Sequence, residues 1–299
     1  MSNTDDTGGT DALTAAFEQN RAHLRGVAYR LLGSMTDADD AVQETWLRLT
    51  STDTSAVENL GGWLTTVVAR VALNMLRTRR RRPEEPIEDD WPEAIDAAVP
   101  EDEAVLADSV GLALIVVLDT LTPAERLAFV LHDLFAMPFT EVGAVLGRSP
   151  EAARQLASRG RRRVRGAPSP DRAADLARQR AVATAFLAAS RGGDLAALVA
   201  VLDEEVSLST DAFASVSGRP VQARGVQAVS RGAMVAASIR AGSSRLALID
   251  GDVGIVFAPA GQLRIALKLS ISDERKITAI DVIADPSRLR ELRLAVLPD

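Results

Sequence analysis

The groups best suited to chemistry in this 299-residue chain are guanidinium groups, and they are clustered. Six arginines and no acid stand between Trp63 and Arg82: Arg70, Arg77, Arg79, Arg80, Arg81 and Arg82. Seven stand between Arg148 and Arg165, against the single acid Glu151. Between these blocks, Pro83 to Asp108 carries eleven acids and no base. A guanidinium stays charged at neutral pH and presents a planar fork of donors, so such clusters suit phosphates and base edges. Spread evenly, the net charge of -7 would argue against a polyanionic partner. Segregated in this way, it describes two basic ends flanking an acidic bridge.

Other chemistries are poorly provided for. The chain has no cysteine, which excludes disulfide scaffolds, thiolate metal sites and cysteine nucleophiles. Its two histidines, His23 and His132, each sit in an apolar helical pattern, read as structural, and cannot assemble a metal site between them. Asp211, Asp250, Asp252 and Asp281 are candidate general bases. Residues 178–299 nevertheless contain neither histidine nor tyrosine, so no cofactor is expected and an enzyme is the lesser reading. The longest aliphatic stretch, Val110 to Leu118, has nine residues where a membrane span needs about 20, and the polar start lacks a signal-peptide pattern. A cytoplasmic protein with no membrane partner is expected.

The elements that must position the arginines can be read from periodicity. Aromatics make up only 4% of residues, which favours helices filled with Ala, Leu and Val. After a leader over residues 1–12, expected to be disordered, three helical patterns run from Leu13 to Leu32, Asp37 to Leu49 and Leu60 to Arg79. Thr36 is the expected cap of the second, with Asp37, Asp39 and Asp40 in its first turn. Ala41, Val42, Thr45, Trp46 and Leu49 form its apolar side. Asp40, Gln43, Glu44, Leu47 and Arg48 form the other, and Leu47 at its centre marks a contact surface with an apolar middle. Residues 83–103 are too rich in proline and acid to bury much and read as a linker. Within Ala104 to Arg165, PFTEVGAVLGRSPEAARQLASRGRRRVR has helix-turn-helix spacing: Gly147 closes one helix, Ser149 caps the next and Pro150 opens it. Such a motif offers its second helix to a major groove. Beyond a break at residues 166–177 come helices at Arg178 to Ser190 and Asp194 to Leu202, a strand at Val206 to Ser209, and a helix near Val226 to Ala237. Three β-patterned runs follow, Arg245 to Ile249 with Gly254 to Ala258, Gln262 to Ser270, and Lys276 to Ala284, giving an α+β domain with an antiparallel sheet.

DADDAVQETWLRL (Asp37 to Leu49) with GWLTTVVARVALNMLRTRRRR (Gly62 to Arg82) resembles region 2 of the extracytoplasmic-function class of bacterial sigma factors. LTPAERLAFVLHDLFAMPFTEVGAVLGRSPEAARQLASRGRRRVR (Leu121 to Arg165) resembles their region 4. The segment 178–299 is similar to the SnoaL-like cone fold carried by one subgroup of that class. The resemblance implies a multidomain chain: all-α region 2 (13–82), an acidic linker (83–106), all-α region 4 with its helix-turn-helix (107–166), a linker (167–177) and an α+β SnoaL-like domain (178–299). It implies core RNA polymerase and promoter DNA as partners. Asp40, Gln43, Glu44, Leu47 and Arg48 would contact polymerase. Arg70, Arg77, Arg79 and Arg80, with the loop Ser51 to Leu60, would serve the -10 element. Arg154, Gln155, Ser158 and Arg159 would face the -35 element, while Arg162 would grip phosphate.

Three short motifs of the subgroup are present in degenerate form. Trp91-Pro92-Glu93 stands for Trp-Leu-Pro-Glu-Pro, Asp211-Ala212-Phe213-Ala214 for Asp-Gly-Gly-Gly, and Asp285-Pro286-Ser287-Arg288-Leu289 for Asn-Pro-Asp-Lys-Leu. Trp91, Asp211, Asp285, Pro286 and Leu289 are thereby expected to act in regulation. The C-terminal domain would control the sigma regions in cis, with no separate anti-sigma factor required. Two rivals follow from the same residues: a helix-turn-helix regulator with a ligand-sensing domain, and a SnoaL-like isomerase or cyclase.

Overall fold

The structure, a computed structural model, describes residues 6–54, 57–81, 111–165, 172–215, 217–240 and 244–297. Trp91 and the linker expected at residues 83–106 lie outside these. The chain divides into two compact units, Met1–Ile87 with Leu121–Arg161, and Glu88–Thr120 with Arg162–Asp299.

In the first unit α1 (Asp6–Leu32), α2 (Met35–Thr50) and α3 (Leu60–Arg81) pack on one another. Their shared core includes Phe17, Leu24, Leu31, Ala38, Leu49, Leu64 and Val68, all almost fully buried. α1 begins at Asp6, so residues 6–12 extend the helix and are not a disordered leader; adding turns to an existing helix needs no new nucleus. α2 is capped by Ser34, not by Thr36. Gly33 at φ 77° breaks the preceding helix, Ser34 is extended, and its hydroxyl accepts from the Asp37 N–H at 3.3 Å.

The same unit holds α5 (Pro123–Phe129), a π-helical turn (Val130–Leu134), α6 (Phe139–Leu146) and most of α7 (Pro150–Arg165). Thr122 and Glu125 form a reciprocal capping box at the start of α5. Gly147 ends α6 in the left-handed conformation, and the Ser149 hydroxyl accepts from Ala152 N–H at 3.2 Å, as the spacing predicts. Gly143 permits the tight turn between them, since a Cβ there would meet the Arg148 carbonyl oxygen at 2.7 Å. α5 and α6 pack against α3.

The second unit contains α4 (Leu112–Asp119), α8 (Ala173–Gly192), α9 (Leu195–Val201), α10 (Val226–Arg240), α11 (Pro286–Glu291) and a seven-stranded sheet. The strands are β1 (Leu202–Thr210), β2 (Val221–Arg224), β3 (Ser244–Ile249), β4 (Asp252–Phe257), β5 (Ile265–Ile271), β6 (Ile277–Ile283) and β7 (Leu294–Ala295), in the order β2-β1-β6-β5-β4-β3-β7. The sheet is not wholly antiparallel, because β1 pairs with β6 in parallel. α8 starts at Ala173, inside the linker expected at 167–177. One pleat of the sheet, with Leu248, Val253, Ile255, Leu269, Ile280 and Val282, joins Val182, Phe186 and Leu198 in a core. The alternate pleat is buried too, at Ala247, Ile249, Val256 and Ala266. α4, with Ile115, Val116, Val117 and Leu118 fully buried, packs against β3 and β7.

Candidate nucleic-acid interface

α2 turns Met35, Ala38, Ala41, Val42, Thr45 and Leu49 inward. That leaves Asp40, Gln43 and Leu47 exposed, with Glu44 and Arg48 partly so. Leu47 is 55% exposed, large for an aliphatic side chain without a partner in its own fold. Glu44 and Arg48 pair at 2.9 Å across one turn. The helix surface continues into a groove of about 380 Å³ lined by Glu44, Arg48, Val71, Asn74, Met75, Thr78 and Arg79. Of the α3 members of this groove Arg79 was singled out from sequence and the others were not, although Val71, Asn74, Met75 and Thr78 share one face at helical spacing.

The α3 arginines divide. Arg77 is exposed. Arg70 donates to the Ala144 carbonyl of α6 at 3.2 Å. Arg79 pairs with Asp37 and donates to the Leu32 carbonyl at 3.3 Å, tying α3 to the α1–α2 corner. The Arg80 side chain lies outside the described residues. In the loop ahead of α3, Asn59 accepts from the Gly62 N–H at 2.9 Å and so caps the helix.

α7 is the most sharply two-sided element. Ala153, Leu156, Ala157 and Gly160 are buried, while Arg154, Gln155, Ser158 and Arg159 are exposed, the division its periodicity predicts. Glu151 in its first turn has its carboxyl held below the usual range by its own backbone N–H, then by the Ser149 hydroxyl, with Arg154 adding to the effect. The arginines differ in what holds them. Arg159 pairs with Glu125 at 3.2 Å and Arg161 with Asp133 at 2.6 Å. Both acids are largely buried, so these contacts anchor α7 to the helices beneath. Arg162 and Arg163 are exposed. Arg154 lies over the Phe139 ring, 5.3 Å from its centroid.

A buried arginine that sequence reasoning passed over sits beneath this region. Arg126, 2% exposed, donates from Nε to the Arg30 carbonyl of α1 at 3.3 Å. Arg30 lies over Phe135 at 5.2 Å, and burial lowers its pKa. The only sequence signal for Arg126 was its place inside a capping-box helix.

In the second unit one carboxylate joins two of the short motifs. Asp211 accepts from the N–H groups of Ala214 (3.0 Å), Ala284 (2.9 Å) and Asp285 (2.9 Å), and lies 3.5 Å from Arg288. Asp285 caps α11 by accepting from Ser287 N–H at 2.7 Å, Pro286 opens that helix, and Leu289 is half-buried on it. The other candidate bases are all held. Asp281 binds Arg288 at 2.9 Å and Ser209 at 2.8 Å, and Asp252 binds Arg172 at 2.5 Å. Burial by itself would push the Asp250 carboxyl up, but Lys268 at 2.9 Å and the Arg293 N–H at 3.0 Å outweigh it and hold it below the usual range. Asp250, Lys268, Asp281 and Arg288 line a cleft of about 270 Å³. Among the described residues no helix is long and apolar enough to cross a membrane, and no group of three metal-ligating side chains assembles.

Residues 16–82 match the family model for Sigma-70 region 2, and residues 111–164 that for Sigma-70 region 4. The chain is 39% identical over 253 residues to the ECF RNA polymerase sigma factor SigJ of Mycobacterium tuberculosis, covering 80% of this chain and 78% of that protein. It is 32% identical over 292 residues to the probable ECF RNA polymerase sigma factor SigI of the same species, covering 95% and 97%. The crystal structure of M. tuberculosis SigJ aligns over 92% of this chain and 98% of its own at 35% identity, with a TM-score of 0.47. A SnoaL-like protein of unknown function from Burkholderia thailandensis aligns over 36% of this chain at 17% identity, with a TM-score of 0.30.

Proposed function

Because the chain belongs to the extracytoplasmic-function RNA polymerase sigma factors, which direct promoter-specific initiation with core RNA polymerase, we propose how its surfaces divide that work. The exposed α2 face around Leu47 docks on core polymerase. The loop before α3, with Arg77, serves the unpaired -10 element, where a pocket for an extruded base offsets the few kcal/mol of unstacking. α7 enters the major groove at the -35 element. Arg154, Gln155 and Ser158 read base edges, and Arg162 grips phosphate. The observation that carries this reading is the two-sidedness of α7, which keeps three polar side chains on one exposed stripe over an apolar base.

Regions 2 and 4 contact each other within one compact unit. Positions -10 and -35 are about 25 base pairs apart, roughly 85 Å at 3.4 Å per pair. Region 2 and the helices of region 4 meanwhile touch through Arg70 with Ala144 and Arg126 with Arg30. Promoter engagement therefore requires these contacts to open. The C-terminal domain regulates that step in cis, without a separate anti-sigma factor. Two observations support this: α4, the first helix of the region 4 match, packs on β3 and β7, and the Val296 N–H donates to the Val164 carbonyl at the end of α7 at 2.8 Å. A domain tethered behind α7 acts at an effective concentration of about millimolar, so weak contacts suffice. In this reading the domain acts in regulation rather than catalysis, a role that the engagement of Asp211, Asp250, Asp252 and Asp281 in ion pairs or backbone contacts supports, and the protein works in the cytoplasm.

Co-purification of the full chain with core polymerase, followed by transcription from its promoter, tests the assignment. Truncations after Ala177 and after Ala284 should each change transcription at equal protein levels. Two truncated proteins that transcribe like the full chain would remove the C-terminal domain from regulation.

A further inference from the structure

The α7 arginines are held by two different kinds of neighbour. Arg159 and Arg161 each give donors to an acid, Glu125 and Asp133. Arg154, by contrast, makes no ion pair among the described residues and lies over the π face of Phe139. A guanidinium held over an aromatic ring by cation–π attraction is restrained in position while its N–H donors stay available. Bidentate recognition of a guanine O6 and N7 needs both donors delivered together, and a restrained guanidinium makes that easier.

Phe139 is itself buttressed. Its ring stacks on His132, with centroids 3.7 Å apart and planes 25° apart. His132 Nδ1 donates to the Met137 carbonyl at 3.0 Å, which fixes the imidazole in place. His132 belongs to the π-helical turn that follows α5, and the chain then passes through Ala136 at φ 54° before Met137 N–H donates to the Leu131 carbonyl at 2.9 Å. A π turn and a left-handed alanine are locally unfavourable, and here they bring the imidazole under the first residue of α6.

We propose that Phe139, backed by His132, is a positioning residue for promoter recognition: it holds the Arg154 guanidinium over its ring, with N–H donors left for a guanine edge in the -35 element. Neither residue touches DNA in this role. The inference rests on the reading of α7 as the -35 helix. It adds that the base preference supplied by Arg154 depends on an aromatic ring one helix away.

The test uses the full chain with core polymerase on promoters randomised across the -35 element, comparing Arg154→Ala, Phe139→Leu and Phe139→Tyr with the parent. Arg154→Ala is expected to flatten the preference at one base pair by about tenfold or more. Phe139→Leu keeps apolar volume but loses the π face, and should flatten the same base pair by about two- to fivefold, with an unchanged salt slope. Phe139→Tyr should retain the parental preference. If Phe139→Leu leaves that base pair untouched while Arg154→Ala flattens it, the positioning role is wrong and the reading of α7 stands. If Phe139→Leu weakens all sequences alike, or Tyr behaves as Leu does, Phe139 is only a packing residue and the inference is likewise overturned. If Arg154→Ala alters no -35 preference, the reading of α7 fails and takes the inference with it.

Discussion

Asp211→Ala should cost the C-terminal domain about 3–4 kcal/mol. The side chain is 11% exposed and accepts three backbone N–H groups, from Ala214, Ala284 and Asp285, at 2.9–3.0 Å. A hydrogen bond to a charged group contributes about 1.5–3 kcal/mol net, so three would give roughly 4.5–9 kcal/mol if the freed amides stayed dry. The side chain is not fully buried, so water can reach at least some of the freed amides, and the figure falls below that range, to about 3–4 kcal/mol. The Arg288 contact adds little, because that side chain is 42% exposed and keeps Asp281 at 2.9 Å. Asp211→Asn keeps one acceptor oxygen but turns an NH₂ toward amide donors, so about half of the loss should remain. Because the chain has two compact units, the measurement is a thermal melt of the full chain with hydrogen exchange followed over residues 202–215 and 277–289. A shift of roughly 10 °C in the transition to which these segments belong is expected for Asp211→Ala. A loss under 1 kcal/mol, or an Asn variant equal to the parent, would refute the view that this carboxylate ties the two segments together.

Leu47→Arg should reduce core polymerase affinity at least tenfold without changing the melting temperature, since 55% of the side chain is already in water; unaltered co-purification would remove this face from the interface. Arg154→Ala should relax selection at one or two -35 positions by about 1–3 kcal/mol, whereas Arg162→Ala should weaken every sequence alike and lower the salt slope by about one. Identical profiles would mean that the two faces of α7 are wrongly assigned. Asp250 has a lowered pKa, so its ion pair with Lys268 stabilises the fold above the ordinary aspartate range, and that contribution is lost as pH falls through the folded value. Hydrogen-exchange protection at the β3–β4 turn, corrected for the intrinsic pH dependence of exchange, should therefore fall at acidic pH in the parent and lose that extra dependence in Asp250→Asn.

Features decided within four or five residues were legible before any fold was known. Gly147, Ser149 and Pro150 place the turn of the helix-turn-helix, and the 3.6-residue period separates Ala153, Leu156 and Ala157 from Arg154, Gln155 and Ser158. The same period put Leu47 outside and Leu49 inside on α2. Boundaries were less secure: Ser34 rather than Thr36 caps α2, because the backbone break at Gly33 selects between two residues that can both cap. Which partner an arginine meets was beyond periodicity. Arg79 with Asp37, Arg70 with Ala144, Arg159 with Glu125 and Arg126 with Arg30 bridge separations from 34 to 96 residues, and each depends on how one helix lies across another. A pattern of charges along α3 and α7 reports only that the arginines are outward or inward. The parallel pairing of β1 with β6, the packing of α4 on β3 and β7, and the meeting of Asp211 with Ala284 and Asp285 belong to the same class. The short-range pattern determined which face of each helix is available for function. Tertiary packing decided which charged groups on those faces bind protein and which are left for a partner, because an ion pair or a stacked ring needs its two members within a few ångströms, and only the folded chain brings distant residues that close.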